Sequence, residues 1–321
     1  MARRHLAAKP GTQPGTFRPD NIIKFKADEN SPAKLLDFLF AAMPDKKRTT
    51  VKDFLKHHQV MLGQNVTTRF DEPVAAGDVV SVNTTREFQV FTHPRLQLVY
   101  EDDDIIVVNK GYGLLSMGTD KPNEQTAYSI LREYVKRKDP RNKIFIVHRL
   151  DRDTTGLMMF AKTMHGKETM QHNWNNMVLE RRYVAVTEGA LEPANGEIRS
   201  YLAENSAHEV YSTTKQGEGQ LALTYYTTLK TRAPYSLVEL SLATGRKNQI
   251  RVHLKEAGHP IVGDRRYGAA PSPIHRLCLH ARTLRFVHPV TRRDMNFTSP
   301  LPAGFFRLVG AYSFDKEIKE I

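Results

Sequence analysis

The chain has 321 residues, 40% of them hydrophobic and 26% charged, with 47 Lys and Arg against 35 Asp and Glu for a net charge of +12. This composition excludes a disordered polyelectrolyte and suits two globular domains, while the basic excess favours polyanionic partners through long-range attraction and counterion release. The single cysteine, Cys278, excludes an intrachain disulfide, no Cys/His group has zinc-ligand spacing, and no apolar run approaches the roughly 20 residues of a membrane span, so a cytoplasmic protein is expected.

Residues 1–17 carry Arg3, Arg4 and Lys9 among Pro-Gly pairs without the apolar core of a signal peptide, and read as a flexible basic tail. Ser31-Pro32 has the form of a helix start, a capping hydroxyl followed by proline in the first turn, after which Leu35, Leu36, Leu39 and Phe40 fall on one helical face. Lys46-Lys47-Arg48 leads into a second helix, where Val51, Phe54 and Leu55 recur at helical spacing while Lys52 and Lys56 point elsewhere. Val60–Val66 and Ala76–Val82 then read as strands around turns. Residues 18–85 are therefore expected to form one small module, residues 86–95 a linker ending at His93-Pro94, and residues 96–321 a second domain.

In that domain, Leu98–Lys110 reads as two extended segments joined by an acidic turn. Lys143–Val147 and the run after Gly156 are rich in β-branched and aromatic residues, so His148–Thr155 between them is a loop displaying Asp151. In Thr244–Leu254, Asn248 can cap a helix whose Ile250, Leu254 and Ala257 face the core and which Gly258 ends, placing Arg251 in the first turn. Among the histidines, His148, His253, His259 and His280 read as structural or RNA-facing, since none belongs to a ligand pair such as H-E-x-x-H.

The string His148–Thr163 closely resembles the HRLD-x-x-T-[ST]-G signature of the RluA-type pseudouridine synthases. Leu98–Lys110, Arg181–Val186, Gly219–Tyr226, Thr244–Leu254, Gly258–Asp264 and Arg276–Ala281 resemble that family's other segments in order. Departures are Gly111 where the family usually has proline, and Lys247-Asn248 in place of Thr-His. The resemblance implies an α+β fold, with a catalytic domain built on a mixed, largely antiparallel sheet with a central cleft. The two short helices, hairpin and closing strand of the N-terminal module resemble the S-four RNA-binding domain, whose basic helix faces would here carry Lys46, Lys47, Arg48, Lys52 and Lys56 to RNA.

The resemblance also implies the site. Asp151 is the catalytic aspartate, Tyr183 and Arg251 support it, and Arg149 contacts or replaces the displaced base. Detaching uracil from ribose and rejoining it through carbon consumes no redox equivalent or triphosphate, so no cofactor and no metal are expected. The implied partner is RNA: large-subunit ribosomal RNA, with transfer RNA as the alternative. Two rival readings stand beside this one. Asp151-Arg-Asp-Thr-Thr155 fits the D-x-D-x-T loop of haloacid-dehalogenase phosphatases, yet His148-Arg149 separates the apolar strand from Asp151, and Asp264 is followed by Arg265-Arg266 rather than a second acid. A non-catalytic RNA-binding ribosome-assembly factor would keep the fold but has no need of Asp151, Tyr183 and Arg251 together.

Overall fold

The computed structural model describes residues 21–63, 65–88, 91–118, 124–213 and 217–314; the expected tail, residues 1–17, lies outside them. The chain divides into two compact units, one up to Val90 and one from Phe91.

In the first unit β1 (Ile22–Lys26), α1 (Leu35–Ala42), α2 (Arg48–Lys56), β2 (Val60–Leu62), β3 (Asn65–Val66) and β4 (Val79–Asn83) form an antiparallel sheet of order β1-β4-β2-β3 with two helices. Leu35, Phe38 and Leu39 of α1 and Val51, Phe54 and Leu55 of α2 pack on Val60, Val80 and Val82. Each such burial stabilises by about 1.5–3 kcal/mol, which makes this small core the reason the unit holds together. One sequence expectation is corrected. The first helix starts at Leu35 behind Lys34 rather than at Ser31-Pro32, because the Ser31 hydroxyl is used locally, accepting from Asp28 N and donating to the Asp28 carboxylate. The strand β1 was not legible, since it lies at the sheet's edge and half-buries only alternate residues.

The second unit runs β5 (Leu96–Glu101), β6 (Ile105–Lys110), α3 (Ala127–Lys138), β7 (Phe145–Ile146), β8 (Thr155–Ala161), α4 (Met164–His172), α5 (Trp174–Met177), β9 (Val178–Glu188), β10 (Asn195–Glu204), β11 (Val210–Thr213), β12 (Gln220–Arg232), β13 (Tyr235–Leu242), α6 (Gln249–Glu256), β14 (Leu279–Val287), β15 (Asp294–Thr298) and α7 (Ala303–Val309). Among the described residues its strands form one sheet, ordered β11-β10-β12-β13-β9-β14-β8-β6-β5, with β15 on β14 and β7 on β8. The β14–β8 pair is parallel and the other named pairs are antiparallel.

Every residue of β8 is buried, because both faces of the central sheet are covered. Its period of two sends Met158 and Phe160 to one core, shared with Leu131 and Val135 of α3 and Ile250 and Leu254 of α6. Leu157, Met159 and Ala161 go to the other, with Met170 of α4 and Phe286 of β14. The neighbouring β6 divides the same way, Ile106 and Val108 against Ile105 and Val107. The helix α3 opens on a capping box, Thr126 accepting from Ser129 N while Ser129 accepts from Thr126 N. Expectations for α6 hold at Ile250 and Leu254 and fail at Ala257, which is exposed just past the helix end, while Val252 and His253 are buried instead.

Candidate active site

Asp151 sits in the loop that enters the middle of the sheet at β8, and that loop is fastened at both ends. At its start, His148 Nε2 accepts the backbone N–H of Met159 at 3.0 Å, which requires that nitrogen to be unprotonated. Burial and then the Arg181 charge push the imidazole down to about 3, so the ring stays neutral. Next, the Ser116 hydroxyl donates to Leu150 O at 2.6 Å and accepts from Leu150 N at 3.1 Å. Below the turn, the buried Lys110 ammonium donates to Arg152 O at 2.9 Å and Leu114 O at 2.8 Å. Burial pushes Lys110 down to about 7 against the pull of the Asp151 and Asp153 charges. At the loop's end, Gly156 has φ of +114° and faces Ala281 across the parallel pair, where a Cβ would lie 2.2 Å from Ala281 O. Only glycine fits, so the turn that presents Asp151 is tied to that residue.

Arg251 projects from the first turn of α6 and meets two carboxylates. Its Nε and Nη2 each donate to Asp264 at 2.7 Å, a bidentate pair, and Asp264 is almost wholly buried. Its Nη1 donates to Asn248 Oδ1 at 3.0 Å and lies 3.7 Å from Asp151 Oδ2. The guanidinium fork thus goes to Asp264, and Asp151 receives the remaining edge as an ion pair longer than a hydrogen bond. Burial works against the Arg251 charge, but the Asp264 hydrogen bonds and the Asp264 and Asp151 charges outweigh it and hold the guanidinium above its ordinary value. The ring of Tyr267 lies under the guanidinium at 4.9 Å.

Asn248 does not cap α6 as expected. It adopts a left-handed φ of 54° and makes no side-chain cap bond. Its side chain instead accepts from Arg251 and donates to the Tyr267 hydroxyl at 3.1 Å, which satisfies polar groups withdrawn from water.

Tyr183 lies on β9 between Leu240 of β13 and Ala281 of β14. It belongs to the main core yet also lines the same pocket as Arg149, Asp151, Thr154 and Arg251. Burial, then the Asp151 charge, raise its hydroxyl pKa against Arg181, so the phenol stays protonated near neutrality. Arg149 is exposed at the pocket edge. The Thr154 hydroxyl, also lining the pocket, is buried with no hydrogen-bond partner among the described residues.

Asp264, Ser116, Asn248 and Lys110 are site residues to which sequence reasoning gave no such role. The Gly-Asp of Gly258–Asp264 was a visible signal for the first and the Asn-Lys pair for the last; nothing local marks Ser116. Away from the site, His253 and His280 are fully buried, bonded to Thr224 and Ser200 and to Thr155 and Ser299 respectively, whereas His259 is half-buried on Glu188 O. Asp102, Asp104 and His288 come close enough to share a cation. Asp102 is already committed there, accepting from Asp104 N, Ile105 N, the Tyr100 hydroxyl and His288 Nε2. In the first unit Lys46, Lys47, Arg48, Lys52 and Lys56 are all exposed, the last three one turn apart along α2. Among the described residues no helix is long and apolar enough to cross a membrane.

Residues 104–256 match the RNA pseudouridylate synthase family. The chain is 32% identical over 318 residues to the ribosomal large subunit pseudouridine synthase D of Haemophilus influenzae, covering 92% of this chain and 97% of that protein. It is 31% identical over 309 residues to the protein of the same name from Escherichia coli K12, covering 90% and 94%. Two solved human structures, RNA pseudouridylate synthase domain containing 4 and 1, align with TM-scores of 0.56 and 0.55 at 24% identity. They cover 66% and 72% of this chain and 92% and 96% of theirs, and show the shared α+β fold. With a loop aspartate facing an arginine at the centre of that fold and relatives this similar along nearly its whole length, the chain belongs to the RluA-type RNA pseudouridine synthases, which are isomerases.

Proposed function

We propose that the protein isomerises specific uridines of large-subunit ribosomal RNA, with Asp151 as the nucleophile or base. The observation that carries this reading is the Asp151 carboxylate in one pocket with Tyr183 and 3.7 Å from Arg251, in a chain whose relatives of 31–32% identity are named for that RNA. The reaction breaks the bond from uracil N1 to the ribose, forms one from C5, releases the C5 proton and protonates N1, so atoms balance without a cofactor. Arg251, oriented by Asp264, sets a fixed cation 3.7 Å from the Asp151 carboxylate on which either role depends. The Tyr183 ring offers a stacking face for uracil, and its protonated hydroxyl a donor. A base paired in a helix must be flipped out, and Arg149 at the pocket edge is placed to fill the gap.

Residues 18–85, within the first unit, serve as an S-four-like RNA-binding module joined by residues 86–95, and Lys46, Lys47, Arg48, Lys52 and Lys56 contact phosphates. Its place of work is the cytoplasm, with the ribosomal RNA. Carbodiimide mapping of pseudouridine in total RNA from cells with and without the gene tests the reading. Loss of one or a few large-subunit signals is expected; loss confined to transfer RNA would overturn the substrate. Asp151→Asn is expected to lower turnover by ~10²–10⁴-fold or more while RNA affinity stays within a few-fold. Wild-type turnover by that variant would overturn the role of Asp151.

A further inference from the structure

A second cavity, of about 360 Å³, shares Arg251 as a wall with the Asp151 pocket and is also lined by Asp153, at the end of the same turn. That volume lies in the range of ligand sites, roughly 300–1,000 Å³. Its lining includes Tyr112, Arg265, Arg266, His275 and Arg276. The Arg251 and Asp264 charges at its edge satisfy one another, which leaves three arginines facing the single carboxylate of Asp153.

Arg276 is the informative member. It is half-buried, with its guanidinium 5.3 Å from the ring centre of Tyr112 and 5.4 Å from that of Phe305. Its Nε donates to Leu277 O at 3.1 Å and its Nη2 to Thr155 Oγ1 at 2.9 Å, which uses two of its five N–H groups. Among the described residues no carboxylate lies within ion-pair distance of it, and burial pulls its pKa below the ordinary arginine value in spite of the Asp153 charge across the cavity. A guanidinium withdrawn from water without an anion costs free energy, and a bound anion removes that cost. Arg265 and Arg266, both exposed on the short turn after Asp264, add positive charge at the same opening.

We propose that this cavity seats a phosphodiester of the RNA strand immediately beside the flipped uridine, gripped by Arg276 and Arg265. A phosphodiester presents two non-bridging oxygens that match a guanidinium fork. A nucleotide whose base lies against Asp151 and Tyr183 has its neighbouring linkage within one residue's reach of the shared wall. This inference rests on the assignment of the Asp151 pocket as the uridine site.

The test is equilibrium binding of the full-length protein to a large-subunit ribosomal RNA transcript carrying the mapped uridine, across a salt series. Arg265→Ala, an exposed change that leaves folding intact, is expected to weaken binding roughly ten-fold and to flatten the slope of log affinity against log salt by about 0.7. Arg276→Gln is expected to do the same, and Arg141→Ala neither, because Arg141 is exposed elsewhere and already paired with Asp139. A transcript with a neutral methylphosphonate at the linkage beside the target should bind wild-type protein as weakly as Arg265→Ala binds the native strand, with no further loss when the two are combined. Additive losses, or an equal loss from Arg141→Ala, would overturn the proposal. If the wild type isomerises the mapped uridine while both cavity variants bind like it, the phosphate seat falls and the enzymatic reading stands; if the wild type does not isomerise it, both fall.

Discussion

Asp264 decides where Arg251 points. By taking the Nε and Nη2 edge it leaves Nη1 toward Asp151, so the Asp151 carboxylate meets a cation already fixed in place. Replacing Asp264 with Asn removes the buried countercharge. The expected outcome is a loss of about 3 kcal/mol or more in the stability of the second unit, together with a fall in kcat larger than any change in RNA affinity. Urea unfolding and single-turnover kinetics check the two halves, and an unchanged kcat would remove the positioning role. Gly156 is the other residue on which the site turns. Gly156→Ala would drive a Cβ into Ala281 O in a backbone conformation that L-residues avoid, so a loss of about 3 kcal/mol or more is expected, read as a lowered melting temperature.

Among the elements, α2 and β8 show what local pattern can convey. Arg48, Lys52 and Lys56 recur every four residues, so any helix there must place them on one face, alongside the buried stripe of Val51, Phe54 and Leu55. Replacing all three with Ala is expected to flatten the salt dependence of RNA binding by about 2 units of slope, at ~0.7 per phosphate contact, with the fold intact by circular dichroism. An unchanged slope would place the RNA elsewhere. The strand–loop–strand around Asp151 was legible for a similar reason, two apolar runs flanking a charged turn with glycine. Helix ends were less so. Ser31-Pro32 and Asn248 both carry residue types suited to capping, yet the Ser31 hydroxyl bonds Asp28 and the Asn248 amide bonds Arg251 and Tyr267, because the folded surroundings offer better partners than the helix terminus.

For the molecule as a whole, acid sensitivity follows from its buried rings. Burial pushes His253 down to about 4 and, aided by the Arg276 and Arg282 charges, His280 to about 3. In the unfolded chain these rings protonate near pH 6.5. Between that value and the folded ones the unfolded state binds more protons, so their stabilisation is complete above about pH 6.5 and is lost as pH falls toward 4. Glu101 and Asp102 extend the loss further. Burial opposes their charges, but Lys138, Tyr134 and Lys162 around Glu101, and the Ile105 and Asp104 N–H groups on Asp102, hold both carboxyls below the usual range. Their contribution is present above about pH 4.5 and disappears below it. The urea midpoint of the second unit is therefore expected to fall between pH 7 and 5, before the carboxylates titrate; a flat midpoint over that range would mean that the rings are not buried neutral.

The sequence by itself determined the loop that displays Asp151, the basic face of α2, the acidic turn between β5 and β6 and the family, because each is written in neighbouring residues or in ordered blocks. What only the tertiary structure decided is how distant segments meet: Arg251 with Asp264 rather than chiefly with Asp151, Ser116 with Leu150, and Thr155 with His280, 125 residues apart. The last arises where β14 pairs in parallel with β8, and in all three a polar group removed from water finds its partner among whatever the fold brings near. No local spacing encodes that choice, which depends on competition among donors and acceptors in a core from which water is excluded.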